Sequence, residues 1–124
     1  MTNYFTPEEK TCHDGCGLNL VDDNPDFIRA LNSARALYGK PMTATCMTRC
    51  AKHNAEVGGA ADSMHLAGRA ADLACTDPQE RAAMYNALFC SGFRRFEFSP
   101  VHIHVDMRPG AGPVILLKMP NGIV

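Results

Sequence analysis

The stretch Ser63-Met64-His65-Leu66-Ala67-Gly68-Arg69-Ala70-Ala71-Asp72 decides how this chain is read, together with His102-Ile103-His104-Val105-Asp106 further on. Residues 68–75 read as a strand, which places Asp72 on a stiff element, and residues 102–108 read as another. In His102-Ile103-His104 the two histidines are two apart, so on a strand both point to one face, while Val101, Ile103 and Val105 point into a core. One histidine can then bind a metal while the other hydrogen-bonds to a substrate or to developing charge. His65, Asp72 and His104 are thus three candidate ligands from two separate segments. Two histidines and one carboxylate suit a catalytic zinc, because they leave the fourth tetrahedral position open for water. Zinc makes such a water a hydroxide nucleophile near neutral pH. A lone histidine on an apolar strand is more often a satisfied core residue. Here the signal is joint: two histidines on one face and a separate His65–Asp72 pair.

Outward from this stretch the chain alternates irregularly between strand and helix patterns. Residues 1–24 look irregular and turn-rich. Pro25 stands where a first helical residue is favoured, behind Asn24 as a cap. Phe27, Leu31, Ala34 and Leu37 follow helical spacing to Gly39, which predicts a helix over 25–38. Residues 42–49 read as a strand and 51–57 as a short helix closed by Gly58-Gly59, with a loop to His65. Asp77-Pro78-Gln79-Glu80 is a capping-box pattern that opens a helix running to about Cys90. Phe93, Phe96 and Phe98 alternate with Arg94, Arg95 and Glu97, a strand pattern over 93–99 that Pro100 interrupts. Residues 109–113 form a turn cluster, and 114–119 read as a last strand. Strands grouped with two helices predict an α+β fold in one domain over residues 1–124: a small antiparallel sheet, helices on one face and the metal on the other.

Composition narrows the function. With 124 residues, 46% hydrophobic and 20% charged, the chain is a folded globular protein with a modest core. Its net charge of −1 and the lack of any basic cluster beyond Arg94-Arg95 give no case for nucleic acid. Apolar runs are too short for membrane insertion. The first ten residues have no basic start and no apolar core of a signal peptide, which predicts synthesis in the cytoplasm. No Gly-x-Ser-x-Gly elbow, His-Glu-x-x-His helix, P-loop or dinucleotide motif occurs. Six cysteines are many for such a chain. The Cys12/Cys16 and Cys46/Cys50 pairs are spaced for a second, structural zinc site with His13, or are free thiols.

At these residues the chain resembles a known family: the small zinc peptidases of the D-Ala-D-Ala metallopeptidase group, relatives of the zinc-binding domain of hedgehog proteins. More narrowly, it is similar to the short versions encoded in phage and prophage genomes. The resemblance rests on Phe5-Thr6-Pro7-Glu8-Glu9, on Cys16-Gly17-Leu18-Asn19-Leu20 and on Gly39-Lys40-Pro41-Met42-Thr43. Its most specific part is Arg49-Cys50-Ala51-Lys52-His53-Asn54-Ala55-Glu56-Val57-Gly58-Gly59-Ala60, which runs into Ser63-x-His65-x-x-Gly68-x-Ala70-x-Asp72. It closes with His102-x-His104-Val105-Asp106-x-Arg108.

The resemblance implies a zinc-dependent peptidase of peptidoglycan stem peptides, either a D-Ala-D-Ala carboxypeptidase or an endolysin-type endopeptidase, a monomer that reaches the wall after release or export by another factor. His65, Asp72 and His104 would bind the zinc. Arg49 would hold a substrate carboxylate or polarise the scissile carbonyl, Ser63 would position the peptide, and His102 would stabilise the oxyanion or assist proton transfer. Many relatives carry an acid three residues before the last zinc histidine, where this chain has Val101. Glu97 resembles the acidic residue of the hedgehog site with a one-residue offset, so the base is Glu97 or His102. Asp106 would orient His104. Cys46-Met47-Thr48 stands where relatives commonly have Ser-Gly-Tyr. Two rival readings accompany this one: a zinc-containing binding module of the same fold without turnover, and a cysteine-based zinc or redox protein.

Overall fold

The computed structural model describes residues 2–117. Four helices and five strands follow one another as α1 (Pro7–Lys10), α2 (Pro25–Tyr38), β1 (Ala44–Cys46), α3 (Ala51–Glu56), β2 (Ala70–Ala74), α4 (Pro78–Cys90), β3 (Arg95–Phe98), β4 (His102–Asp106) and β5 (Val114–Leu117). Short 3₁₀ turns lie at Val21–Asp23 and Met64–Ala67. Lys118 and Met119, part of the expected last strand, lie outside the described residues.

The expected α+β fold is present, with one change of direction. The sheet order is β1-β2-β4-β3-β5, and every pairing is antiparallel except β3 with β5, which is parallel. The chain leaving β4 turns through residues 107–113 and runs back, but it lands beyond β3, which itself runs opposite to β4. β5 therefore runs alongside β3 in the same sense. Arg95 fastens this connection by donating from Nη1 to the Gly112 carbonyl at 2.9 Å.

Period-two alternation sorts the sheet into two faces. Leu73, Ile103, Val105 and Phe96 join Phe27 and Leu31 of α2 and Met84 and Leu88 of α4 in one buried core. The helices thus cover one face, and Asp72, His102, His104 and Glu97 are carried on the other. Val101 is a correction: it precedes β4 and is 57% exposed rather than packed in the core.

Local chemistry explains most element ends. α2 starts at Pro25 as expected, but Asn24 does not cap it with its side chain. Its carboxamide instead donates to the carbonyls of Leu20 and Ala67 and accepts from Arg69 Nη1, tying the first segment to the approach of β2. Asp77 caps α4 by accepting from the Glu80 N–H at 3.0 Å. The Glu80 carboxylate turns to the Tyr38 hydroxyl and the Lys40 ammonium, which joins the start of α4 to the end of α2. The first segment is less irregular than expected. Thr6 and Glu9 form a reciprocal capping box around α1. The other Glu9 oxygen accepts from the Ala44 N–H at 2.9 Å and docks that turn on β1.

β1 is shorter than the strand expected over 42–49. Its pairing with β2 is irregular between Ala44 and Cys46, after which the backbone leaves the ladder and meets the His65 segment. The Met47 carbonyl accepts from His65 Nδ1 at 2.7 Å, and the Arg49 N–H donates to the His65 carbonyl at 3.0 Å. Gly68 ends the turn that carries His65, at φ +69°, and a Cβ there would lie 2.4 Å from the Leu20 carbonyl carbon. Only glycine meets both demands.

Candidate metal centre

Strand register assembles the centre. Cys46 of β1 faces Asp72 of β2, Asp72 faces His104 of β4, and His104 faces Glu97 of β3. Four chemistry-bearing side chains thus form one row across the sheet, on the face away from the helices. The 3₁₀ turn Met64–Ala67 brings His65 over the row. Ser63 starts that turn, its hydroxyl accepting from the His65 N–H at 3.2 Å.

The donor atoms converge on one oxygen. His65 Nε2 lies 3.2 Å and His104 Nδ1 2.8 Å from Asp72 Oδ1. The opposite nitrogen of each ring is already engaged. Met47 offers only a carbonyl, so His65 Nδ1 must carry the proton and donate it. Asp106 Oδ2 lies 2.8 Å from His104 Nε2 and receives that N–H. Arg95 Nε donates to Asp106 Oδ1 at 2.8 Å and holds the carboxylate in place. Two imidazole lone pairs and a carboxylate oxygen therefore face one another in a buried place, and that arrangement needs a proton or a cation between them. Zinc bonds of about 2.1 Å to nitrogen and oxygen set tetrahedral ligand atoms about 3.4 Å apart, against 3.2 Å and 2.8 Å for the two histidine–carboxylate pairs. The donor set and the outer hydrogen bonds fit the metal.

The titration of these groups shows the same attraction. Burial opposes a charge on His65, but the hydrogen bond and charge of Asp72 outweigh it and raise its pKa to about 10. His104 is buried too, and Asp106 and Asp72 raise its pKa. Burial opposes ionisation of Asp72, yet the two histidines hold its carboxyl well below the usual range.

The structure places every sequence-predicted site residue on or beside this face. His65, Asp72 and His104 come together through Asp72 Oδ1. His102, 9% exposed, has Nε2 3.8 Å from the same oxygen. Glu97 is half-buried, with Oε2 4.0 Å from His104 Nε2. Arg49 is buried with Nη2 3.6 Å from Asp72 Oδ2. Two openings flank the row. Ser63, Glu97, His104 and Arg108 line one, and Arg49, Cys46, Asp72 and His102 line the other.

Two participants escaped the sequence reading. Cys46 lies with His65 and Asp72 so that their ligand atoms are all within 4.8 Å of one another. It also accepts from Arg49 Nε at 3.2 Å. Asn54 accepts from Arg49 Nη1 at 2.9 Å and anchors itself on the Ala60 carbonyl. Of the two cysteine arrangements left open by the spacing, a cluster uniting Cys46 and Cys50 is not formed. Cys46 ends β1 facing the site, and Cys50 turns the other way, toward Cys12 and Cys16.

Residues 3–106 match the family model described as Peptidase M15. The chain belongs to the peptidase M15 family. An M15 membership makes it a metallopeptidase by family, and the family's enzymes are typically zinc-dependent. The match spans every residue of the row and ends at Asp106, the partner of His104. No curated protein matches the chain as a relative. Among the described residues no helix of this M15 chain is long and apolar enough to cross a membrane.

Proposed function

We propose that this M15 chain is a zinc-dependent peptidoglycan peptidase that hydrolyses a D-amino-acid-containing bond of cell-wall stem peptides. The observation that carries the reading is the arrangement of lone pairs at Asp72 Oδ1, with the far nitrogens of His65 and His104 both donating elsewhere. His65, Asp72 and His104 are the metal ligands in this reading. When bound, zinc would polarise the scissile carbonyl and acidify the attacking water.

The two openings divide the remaining work. Arg49 and His102 lie on one side and offer N–H donors, which suits the developing oxyanion or a substrate carboxylate. Glu97 and Ser63 lie on the other. The proton of the attacking water passes to Glu97 or to His102, which later returns it to the leaving amine. Ser63 positions the peptide backbone. Wall peptides lie outside the cell membrane, so the reading includes release or export by another factor.

The test measures zinc content and cleavage of peptidoglycan fragments together, on the unaltered chain and on His104→Ala. Bound zinc and cleavage, both lost in the variant, support the proposal. Zinc bound through His104 with no stem peptide cut would favour a binding module of the same fold. Val101, exposed where many relatives carry an acid, is the observation that gives this second reading its weight.

A further inference from the structure

A second set of ligand-bearing side chains meets where the turn at residues 11–17 touches the start of α3. The Sγ atoms of Cys12, Cys16 and Cys50 and a carboxylate oxygen of Asp14 all lie within 4.8 Å of one another. Cys12 is buried, Cys50 is half-buried, and Cys16 and Asp14 are exposed. Asp14 is the hub. Its Oδ1 accepts from the Cys12 thiol at 3.3 Å and from the Cys16 backbone N–H at 2.9 Å, and its Oδ2 accepts from the Cys50 thiol at 3.0 Å. Backbone N–H groups point at the sulfurs as well, from Cys50 to Cys12 Sγ and from His53 to Cys50 Sγ, each at 3.4 Å.

We propose that Cys12, Cys16 and Cys50, with Asp14 as the fourth ligand, hold a structural zinc ion. Three thiolates select a soft divalent cation over magnesium or calcium. Four protein ligands close the tetrahedron, which leaves no position for a substrate and separates this site in kind from the one at Asp72. Zinc–sulfur bonds of about 2.3 Å place tetrahedral sulfurs about 3.8 Å apart, so the cluster needs only small side-chain adjustments to close on an ion. Each thiol that binds gives its proton to solvent, and bonds to the metal replace the hydrogen bonds to Asp14. The ion would join residues 11–17 to Cys50, the residue directly after Arg49. It would thereby fix the backbone that carries the guanidinium into the other site.

Metal content and thiol chemistry test this without reference to peptidase activity. In Asp72→Ala, which removes the other site, one zinc per chain is expected to remain. After exchange for cobalt(II), that variant is expected to show thiolate-to-cobalt charge-transfer absorption. The absorption should persist when Cys46→Ser is added and vanish when Cys16→Ser is added. The unaltered protein gives a measurement that requires no variant to fold. Zinc should shield Cys12, Cys16 and Cys50 from alkylation and leave exposed Cys90 reactive. Three results would each overturn the proposal: no cobalt bound by Asp72→Ala, alkylation of Cys16 as fast as Cys90 with zinc present, or an intact mass showing two of the three thiols joined as a disulfide in reducing buffer. Loss of cleavage alone bears on the proposed peptidase activity and leaves this site standing.

Discussion

Asp106 lies two residues along β4 from His104 and decides which ring nitrogen faces Asp72. It receives the Nε2–H, and Arg95 grips its other oxygen. The imidazole cannot turn over without breaking a buried charge-assisted bond. Asp106→Ala is expected to weaken zinc binding by about 10- to 100-fold, measured by competition with a chromophoric chelator. Unchanged affinity would remove its positioning role. Glu97→Gln should keep the zinc and lower kcat by about 10²- to 10⁴-fold, with KM little altered. Should kcat survive in that variant and collapse in His102→Gln, the proton transfer belongs to His102. That His102 and His104 share one face was legible in the sequence, because residues two apart on a strand point the same way. Cys46 was not. Which β1 residue lies opposite Asp72 depends on an irregular pairing that only the folded sheet defines.

Element by element, the best-read parts were those with local signals at both ends. α2 and α4 each begin with proline at the first turn, and α4 is capped by Asp77 as its pattern announced. α1 carried an equally local signal in Thr6 and Glu9 and was overlooked because it is only four residues long. The direction of β5 had no local signature, since it follows from where the chain crosses the end of β3. The loop after α3 carries its own constraint. A Cβ at Gly59 would lie 2.1 Å from Asn54 Oδ1 and 2.6 Å from Arg49 Nη1. Gly59→Ala is therefore expected to push Asn54 off the guanidinium, lowering kcat/KM while zinc content stays unchanged. Full activity in Gly59→Ala would mean that the present placement of Arg49 is not what the substrate needs.

For the molecule as a whole, the centre joins the same strands that build the core, so its occupancy and the stability of the fold are linked. Ligands bound only by the folded state add about 4 kcal/mol when present at roughly a thousand times their dissociation constant. Chelation is expected to lower the melting temperature by on the order of 10 °C, and added zinc should restore it, as read by calorimetry. A melting curve indifferent to chelator would disconnect the metal from the fold. The strand order β1-β2-β4-β3-β5 has a consequence for the chain as it is made. β4 lies between β2 and β3, and both of these precede it in synthesis. A nascent chain that has emerged only as far as Phe98 holds the β1–β2 pair and β3 without the strand that joins them, with Leu73 and Phe96 unjoined. Insertion of His102–Asp106 closes the sheet and delivers His104 to Asp72 in one event. An unfinished polypeptide therefore lacks a complete centre until His102–Asp106 has been made.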